Sequence, residues 1–190
     1  MTLKIGVLGS TKGTSLQGVI DAIEKGELDA RIVLVVSNKK DAVILERAKK
    51  HDLPSLYIIA DENESREDYD EKVSAAFREA GADVILMIGY MRIISPAFVR
   101  EWEGRMLNVH PSLLPAFGGK MNKDVHRAVL ESGVKETGCT IHLVTEEVDS
   151  GPIILQKKCA VLPGDTTEAL KDRVQALEKD SFVEVLQNWR

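Results

Sequence analysis

The chain has 190 residues, 44% of them hydrophobic and 29% charged, which suits about one folded domain and excludes a disordered chain. Lys and Arg number 25 against 30 Asp and Glu, for a net charge of -5. No stretch concentrates basic residues, which argues against a general nucleic-acid binder.

In chain order, residues 4–8 form a short apolar run ending in the loop Gly9-Ser10-Thr11-Lys12-Gly13-Thr14-Ser15. Leu16, Val19, Ile20 and Ile23 then recur at helical spacing, and Gly26 stops that helix. Residues 32–36 are continuously apolar, as suits a strand covered on both faces. Residues 41–50 read as a helix and 56–59 as a third strand. Ser65-Arg66-Glu67-Asp68 resembles a capping box. It opens a helix with Tyr69, Val73, Ala76 and Phe77 on one stripe, closed by Gly81. Residues 84–88 are the most apolar run and predict a central strand. At five residues the run is far short of the ~20 that a membrane-spanning helix needs.

Ser95 and Pro96 fit the N-cap and first position of another helix, which Gly104 ends. Residues 106–110 read as a strand, 111–123 as a loop and 125–131 as a helix. Residues 140–145 and 153–161 look like a strand pair. Asp165-Thr166-Thr167-Glu168 is a second capping-box pattern, opening a C-terminal helix with Leu170, Val174 and Leu177 toward the core. Alternating strands and helices imply an α/β fold, a mostly parallel sheet with helices on both faces. Ligands in such sheets bind beyond the carboxyl ends of the strands, so chemistry is sought there. The chain opens on a strand-like run rather than a signal peptide, so a cytoplasmic protein without membrane or nucleic-acid partners is expected.

The first loop is neither G-x-G-x-x-G nor a P-loop, though its amides could cradle a phosphate at a helix N-terminus. An ordinary strand-to-helix turn explains it as well. The strand Met106-Leu107-Asn108-Val109-His110 says more. Side chains alternate along a strand, so Asn108 and His110 share a face. An amide donor beside an imidazole could stabilise an oxyanion; a hydrogen-bonded structural pair is the other reading. Cys139 and Cys159 stand in apolar, strand-like text and are expected to be buried free thiols. His110, His126 and His142 lack metal-ligand spacing, so no metal is expected.

Two longer runs carry a resemblance. Leu107-Asn108-Val109-His110-Pro111-Ser112-Leu113-Leu114-Pro115 and Val148-Asp149-Ser150-Gly151-Pro152-Ile153-Ile154 resemble the two signatures of the folate-dependent formyltransferases. Gly89-Tyr90-Met91-Arg92-Ile93-Ile94-Ser95-Pro96-Ala97-Phe98 looks like the segment lining the folate pocket of that family. The likeness runs from about Lys4 to the C-terminal helix. It is strongest to the branch that formylates glycinamide ribonucleotide with 10-formyltetrahydrofolate in purine synthesis.

The resemblance implies a Rossmann-like formyltransferase fold, with residues 1–190 as one formyltransferase domain, monomeric or homodimeric. It leaves no room for the extra domains of the tRNA formyltransferases or the folate hydrolases. It implies Asn108, His110 and Asp149 as the catalytic trio, with Asp149 raising the His110 pKa so that a protonated imidazole assists Asn108. Gly13, Thr14 and Ser15 match the loop that holds the ribonucleotide phosphate. Thr11 and Ser15 depart from the family's usual Ser-Gly-x-Gly-Ser-Asn, but backbone donors survive both changes. Glu178 matches a ribonucleotide-contacting acid, and Arg66, Met91, Arg92, Ile93, Ile94 and Asn108 match folate contacts. His142 resembles a second histidine near the site. The same likeness implies a cis bond before Pro115. The rival readings are a hydrolase that passes the formyl group to water, another amine formyltransferase, and a nucleotide-binding module without catalysis.

Overall fold

The computed structural model describes residues 1–120 and 123–189. Seven strands form one sheet: β1 (Leu3–Leu8), β2 (Ala30–Ser37), β3 (Ser55–Tyr57), β4 (Val84–Met87), β5 (Met106–His110), β6 (Glu136–Leu143) and β7 (Ile153–Ala160). Among the described residues six helices connect or cover them: α1 (Thr14–Glu24), α2 (Val43–Lys50), α3 (Arg66–Ala80), α4 (Pro96–Glu101), α5 (Lys123–Ser132) and α6 (Thr167–Gln187). The strand order is β3-β2-β1-β4-β5-β6-β7. The first five run parallel; β6 and β7 are antiparallel to their neighbours.

The central strands of this sheet are buried on both faces by two apolar layers. Ile5 and Val7 of β1 point to α1, α2 and the end of α6, where Leu16, Ile44 and Phe182 are fully buried. Leu8 and Ile85 point the other way, to Tyr69, Val73 and Phe77 of α3 and to Phe98 and Trp102. A third cluster joins Val129 of α5 to Cys139, Leu170 and Val174, with Leu177 half-buried beside it. Each fully buried aliphatic or aromatic side chain in these layers contributes about 1.5–3 kcal/mol relative to exposure.

The chain reverses its order of travel between β1 and β4. β2 and β3 were added on one side of β1, β4 and β5 on the other. Loops leaving adjacent strands therefore diverge there and open a crevice. The loops after β1, β4 and β5 all end at it.

Several local expectations shift. The second capping pattern moves by one residue: Thr166, not Asp165, is the N-cap, its hydroxyl accepting from the Ala169 amide at 3.1 Å. Asp165 instead accepts from Leu162 N at 2.8 Å and pairs with both ends of Arg173 at 2.6 and 2.9 Å. β6 starts four residues earlier than its apolar text, because Glu136, Thr137 and Gly138 pair with β7 through their backbone. Cys139 is buried, as expected, but Cys159 is only half-buried, on the outermost strand; both are free thiols. The 111–123 loop is described as far as Lys120, and Met121 and Asn122 lie outside the described residues. Among the described residues no helix is long and apolar enough to cross a membrane.

Candidate active site

The crevice is a continuous cleft of about 790 Å³. Its walls run from Gly13, Thr14 and Ser15, past Asn108, His110, His142 and Asp149, to Met91, Arg92, Ile93 and Ile94. Two of the loops that meet there are fixed to each other through Ser10: its N donates to Gly89 O at 3.2 Å, and its hydroxyl accepts from Met91 N at 3.0 Å.

Asn108 and His110 lie at the carboxyl end of β5 and share a face by strand alternation, opposite Leu107 and Val109 in the core. The turn after them is held rigidly. Thr140 Oγ1 donates to Ser112 O at 2.7 Å and accepts from Leu114 N at 3.0 Å. Gln156 Nε2 donates to Leu114 O at 2.9 Å, and the Leu114–Pro115 bond is cis. Ser112, Leu114 and Pro115 of the first signature are thus framework, which leaves Asn108 and His110 to face the cleft.

Asp149 arrives from the β6–β7 connection with φ 55, a left-handed conformation that Asp tolerates better than most residues. Its Oδ2 lies 3.2 Å from His110 Nδ1 and accepts from Gly119 N at 2.9 Å. Its Oδ1 lies 3.7 Å from His142 Nε2. His110 Nε2 faces the Phe117 carbonyl at 3.2 Å. Asn108 Nδ2 donates to His142 Nε2 at 3.1 Å, while His142 Nδ1 donates to Leu143 O at 2.9 Å. These contacts hold the His142 ring against Asn108 and so orient the Asn108 amide.

The charge of His110 differs from expectation. Burial, at 4% exposure, pushes its pKa below the usual histidine value; Asp149 and the Phe117 carbonyl push it up, but less. The free protein therefore holds the ring mainly neutral at neutral pH. Both ring nitrogens nonetheless face acceptors, and only an imidazolium can donate to both. The site is built to receive a proton that burial withholds.

At the other end, Gly13 is the N-cap of α1 with φ 61, and no side chain caps the helix. The first-turn amides and the partial positive charge of that helix end meet the cleft. Gly13 itself is required twice over: its φ is left-handed, and a Cβ there would lie 2.5 Å from Ile44. Ser15 is buried and donates to Glu178 Oε2 at 2.8 Å. Glu178 is buried too, which pushes its pKa up to about 7.

Glu178 has company that the sequence reading passed over. Lys171 and Gln175 line the cleft beside it. Their spacing of four and then three along α6 puts all three on one face, and that polar stripe was the available signal. His126 also lines the cleft; burial lowers its pKa to about 4. Its Nδ1 has no partner among the described residues, nor does Arg92 Nε, an atom of another cleft residue. Buried polar atoms are nearly always satisfied, so each of these unpaired atoms in the cleft wall fits a place for a ligand.

Arg92 lies over the Tyr69 ring at 4.2 Å. Arg66 is not brought to the cleft. It opens α3 on the exposed surface, 3.4 Å from Glu67. Among the described residues no cluster of His, Cys, Asp and Glu is arranged to hold a metal ion.

Comparison with known proteins agrees with this geometry. The model of the formyl transferase family matches residues 3–186. The chain is 42% identical over 176 residues to the phosphoribosylglycinamide formyltransferase of Escherichia coli, covering 93% of this chain and 82% of that protein. It is 43% identical to part of the trifunctional purine biosynthetic protein adenosine-3 of Gallus gallus, covering 97% of this chain but only 18% of the larger protein. The glycinamide ribonucleotide transformylase 1 structure from Symbiobacterium toebii superposes with a TM-score of 0.93 at 39% identity, covering 98% of this chain and 86% of that one. A phosphoribosylglycinamide formyltransferase structure from Coxiella burnetii gives 0.92 at 41% identity, with the same coverage. With its sheet, its cleft and its length all accounted for, the chain belongs to the formyl transferase family.

Proposed function

We propose that this protein transfers the formyl group of 10-formyltetrahydrofolate to the amine of glycinamide ribonucleotide, in cytoplasmic purine synthesis. The observation that carries the reading is the unbroken cleft from the Gly13 loop, past Asn108 and His110, to residues 91–94. An acceptor with an anionic end and a reactive amine fits one half; a flat, partly apolar donor fits the other. The similarity to the E. coli and S. toebii enzymes supports the same assignment.

The roles follow from position. The amides at Gly13 and Thr14 bind the phosphate, and Ser15, Glu178 and the α6 stripe hold the ribose side. Residues 91–94 grip the folate, with Arg92 placed by its Tyr69 stack. The amine attacks the formyl carbon, and the carbonyl oxygen takes the electron pair. Asn108 donates to that oxygen. Negative charge growing beside His110 favours its imidazolium, which Asp149 then holds. For His110 to donate to the oxygen as well, its Nε2–H leaves the Phe117 carbonyl. As the tetrahedral carbon collapses, the bond to folate N10 breaks. The proton lost by the amine ends on N10. No covalent enzyme intermediate is needed.

Binding the phosphate, remote from the amine, helps to orient the amine against the formyl carbon and so favours it over water. The deciding experiment supplies 10-formyltetrahydrofolate with and without glycinamide ribonucleotide. Donor consumption that requires the ribonucleotide, with formylated product, supports the transferase. Equal consumption in buffer alone would make the protein a hydrolase. Turnover only with a different amine would reassign the acceptor.

A further inference from the structure

The loop that carries Gly13 is gripped from behind by α2. Ile44 N donates to Thr11 O at 3.0 Å. Arg47 Nε and Nη2 both donate to Lys12 O, at 3.4 and 3.3 Å. Two successive carbonyls of the loop thus point at one helix. A trans peptide is planar, with its N–H opposed to its C=O. The amides of Lys12 and Gly13 therefore point away from α2. The Gly13 amide has no partner among the described residues, and Gly13 lines the cleft.

Arg47 is itself held in place. Its third nitrogen, Nη1, donates to Gln17 Oε1, and Gln17 Nε2 donates to Asp21 Oδ1 at 2.7 Å. The side chain is half-buried and does not line the cleft. Its guanidinium sits on the carbonyl side of the Lys12–Gly13 peptide. A cation there draws electron density toward the oxygen and strengthens the amide on the far side as a donor. No ligand-contacting side chain in the loop does this, and nothing in the sequence pattern singled Arg47 out.

We propose that Arg47 is a positioning residue for the anionic end of the acceptor substrate: it fixes and polarises the Lys12–Gly13 peptide so that the Gly13 amide donates to the phosphate. This rests on the reading above, in which the acceptor is a ribonucleotide bound at that loop. It predicts an effect confined to one substrate.

Arg47→Gln and Arg47→Lys are compared with the unaltered protein in two measurements. In steady state, Arg47→Gln should raise KM for glycinamide ribonucleotide about tenfold, the scale of one lost charge-assisted hydrogen bond. KM for the folate, kcat, and turnover of free glycinamide, which has no phosphate, should stay within about twofold, and Arg47→Lys should restore part of the affinity. Separately, inorganic phosphate titrated into 15N-labelled protein should shift the Gly13 amide resonance saturably, and Arg47→Gln should weaken that response. A parallel rise in both KM values, together with a lower melting temperature, would show a merely structural role and overturn the proposal. So would equal phosphate responses in the unaltered protein and Arg47→Gln. If the unaltered protein makes no formylated ribonucleotide yet its Gly13 response to phosphate depends on Arg47, the reaction assignment fails and the positioning role stands.

Discussion

Around His110, two acceptors compete with burial over one proton. Asp149 is the charged member of that contest. Asp149→Asn keeps the shape and removes the charge, so the His110 pKa should fall further, read from its ring proton in an NMR titration; an unchanged value would leave Asp149 only a structural part. His110→Ala and Asn108→Ala should each lower kcat by about 10²–10³, the usual cost of one oxyanion donor, while melting close to the unaltered protein. Turnover near normal in either variant would remove it from the mechanism. The pairing of Asn108 with His110 was legible, because strand alternation alone places them together. The charge of His110 was not, because it depends on how much water the folded chain excludes, and no local pattern reports that.

At the scale of elements, α6 does two jobs on two faces. Leu170 and Val174 enter the core, while Lys171, Gln175 and Glu178 face the cleft. Its N-cap, Thr166, does not line the cleft. Thr166→Ala should therefore cost about 1 kcal/mol of stability by urea unfolding, with KM for both substrates unchanged; a KM change would mean that the helix start is coupled to the cleft. Helix existence was plain from periodicity, yet the cap was misplaced by one residue. Asp165 and Thr166 both suit an N-cap, and the choice was made by Arg173, a full two turns on, which claims the Asp165 carboxylate and holds its pKa down to about 2. The start of β6 was hidden for a related reason. Glu136, Thr137 and Gly138 belong to the sheet through backbone pairing with β7, which composition does not encode.

Over the whole molecule, buried titrating groups set opposing pH trends. His126 titrates near 6.5 when unfolded and about 4 when folded. Its contribution is present above 6.5 and is lost as pH falls toward 4; His110 acts in the same direction. Glu178 moves from 4.5 up to about 7, so its contribution is present below 4.5 and is lost as pH rises through 7. Between pH 5 and 7 the two trends offset each other. Glu178→Gln removes one of them, and its urea midpoint should then drop more steeply from pH 7 to pH 5 than that of the unaltered protein. Identical pH dependence in the two would mean that Glu178 is not perturbed.

The central place of β1 also has a consequence during synthesis. Its first neighbour, β2, is translated soon after it, but its second, β4, comes only after α2, β3 and α3. Until Val84 emerges, one side of the apolar run Ile5, Val7 and Leu8 has no partner. At roughly 5–20 residues per second this interval lasts on the order of several seconds. An unpaired strand edge is a template for association with another chain. Ribosomes spaced closely on one message would hold several such edges near each other. Slowing translation between the codons for β2 and β4 should therefore lower the soluble yield, whereas slowing it after β5 should not, since by then both sides of β1 are taken.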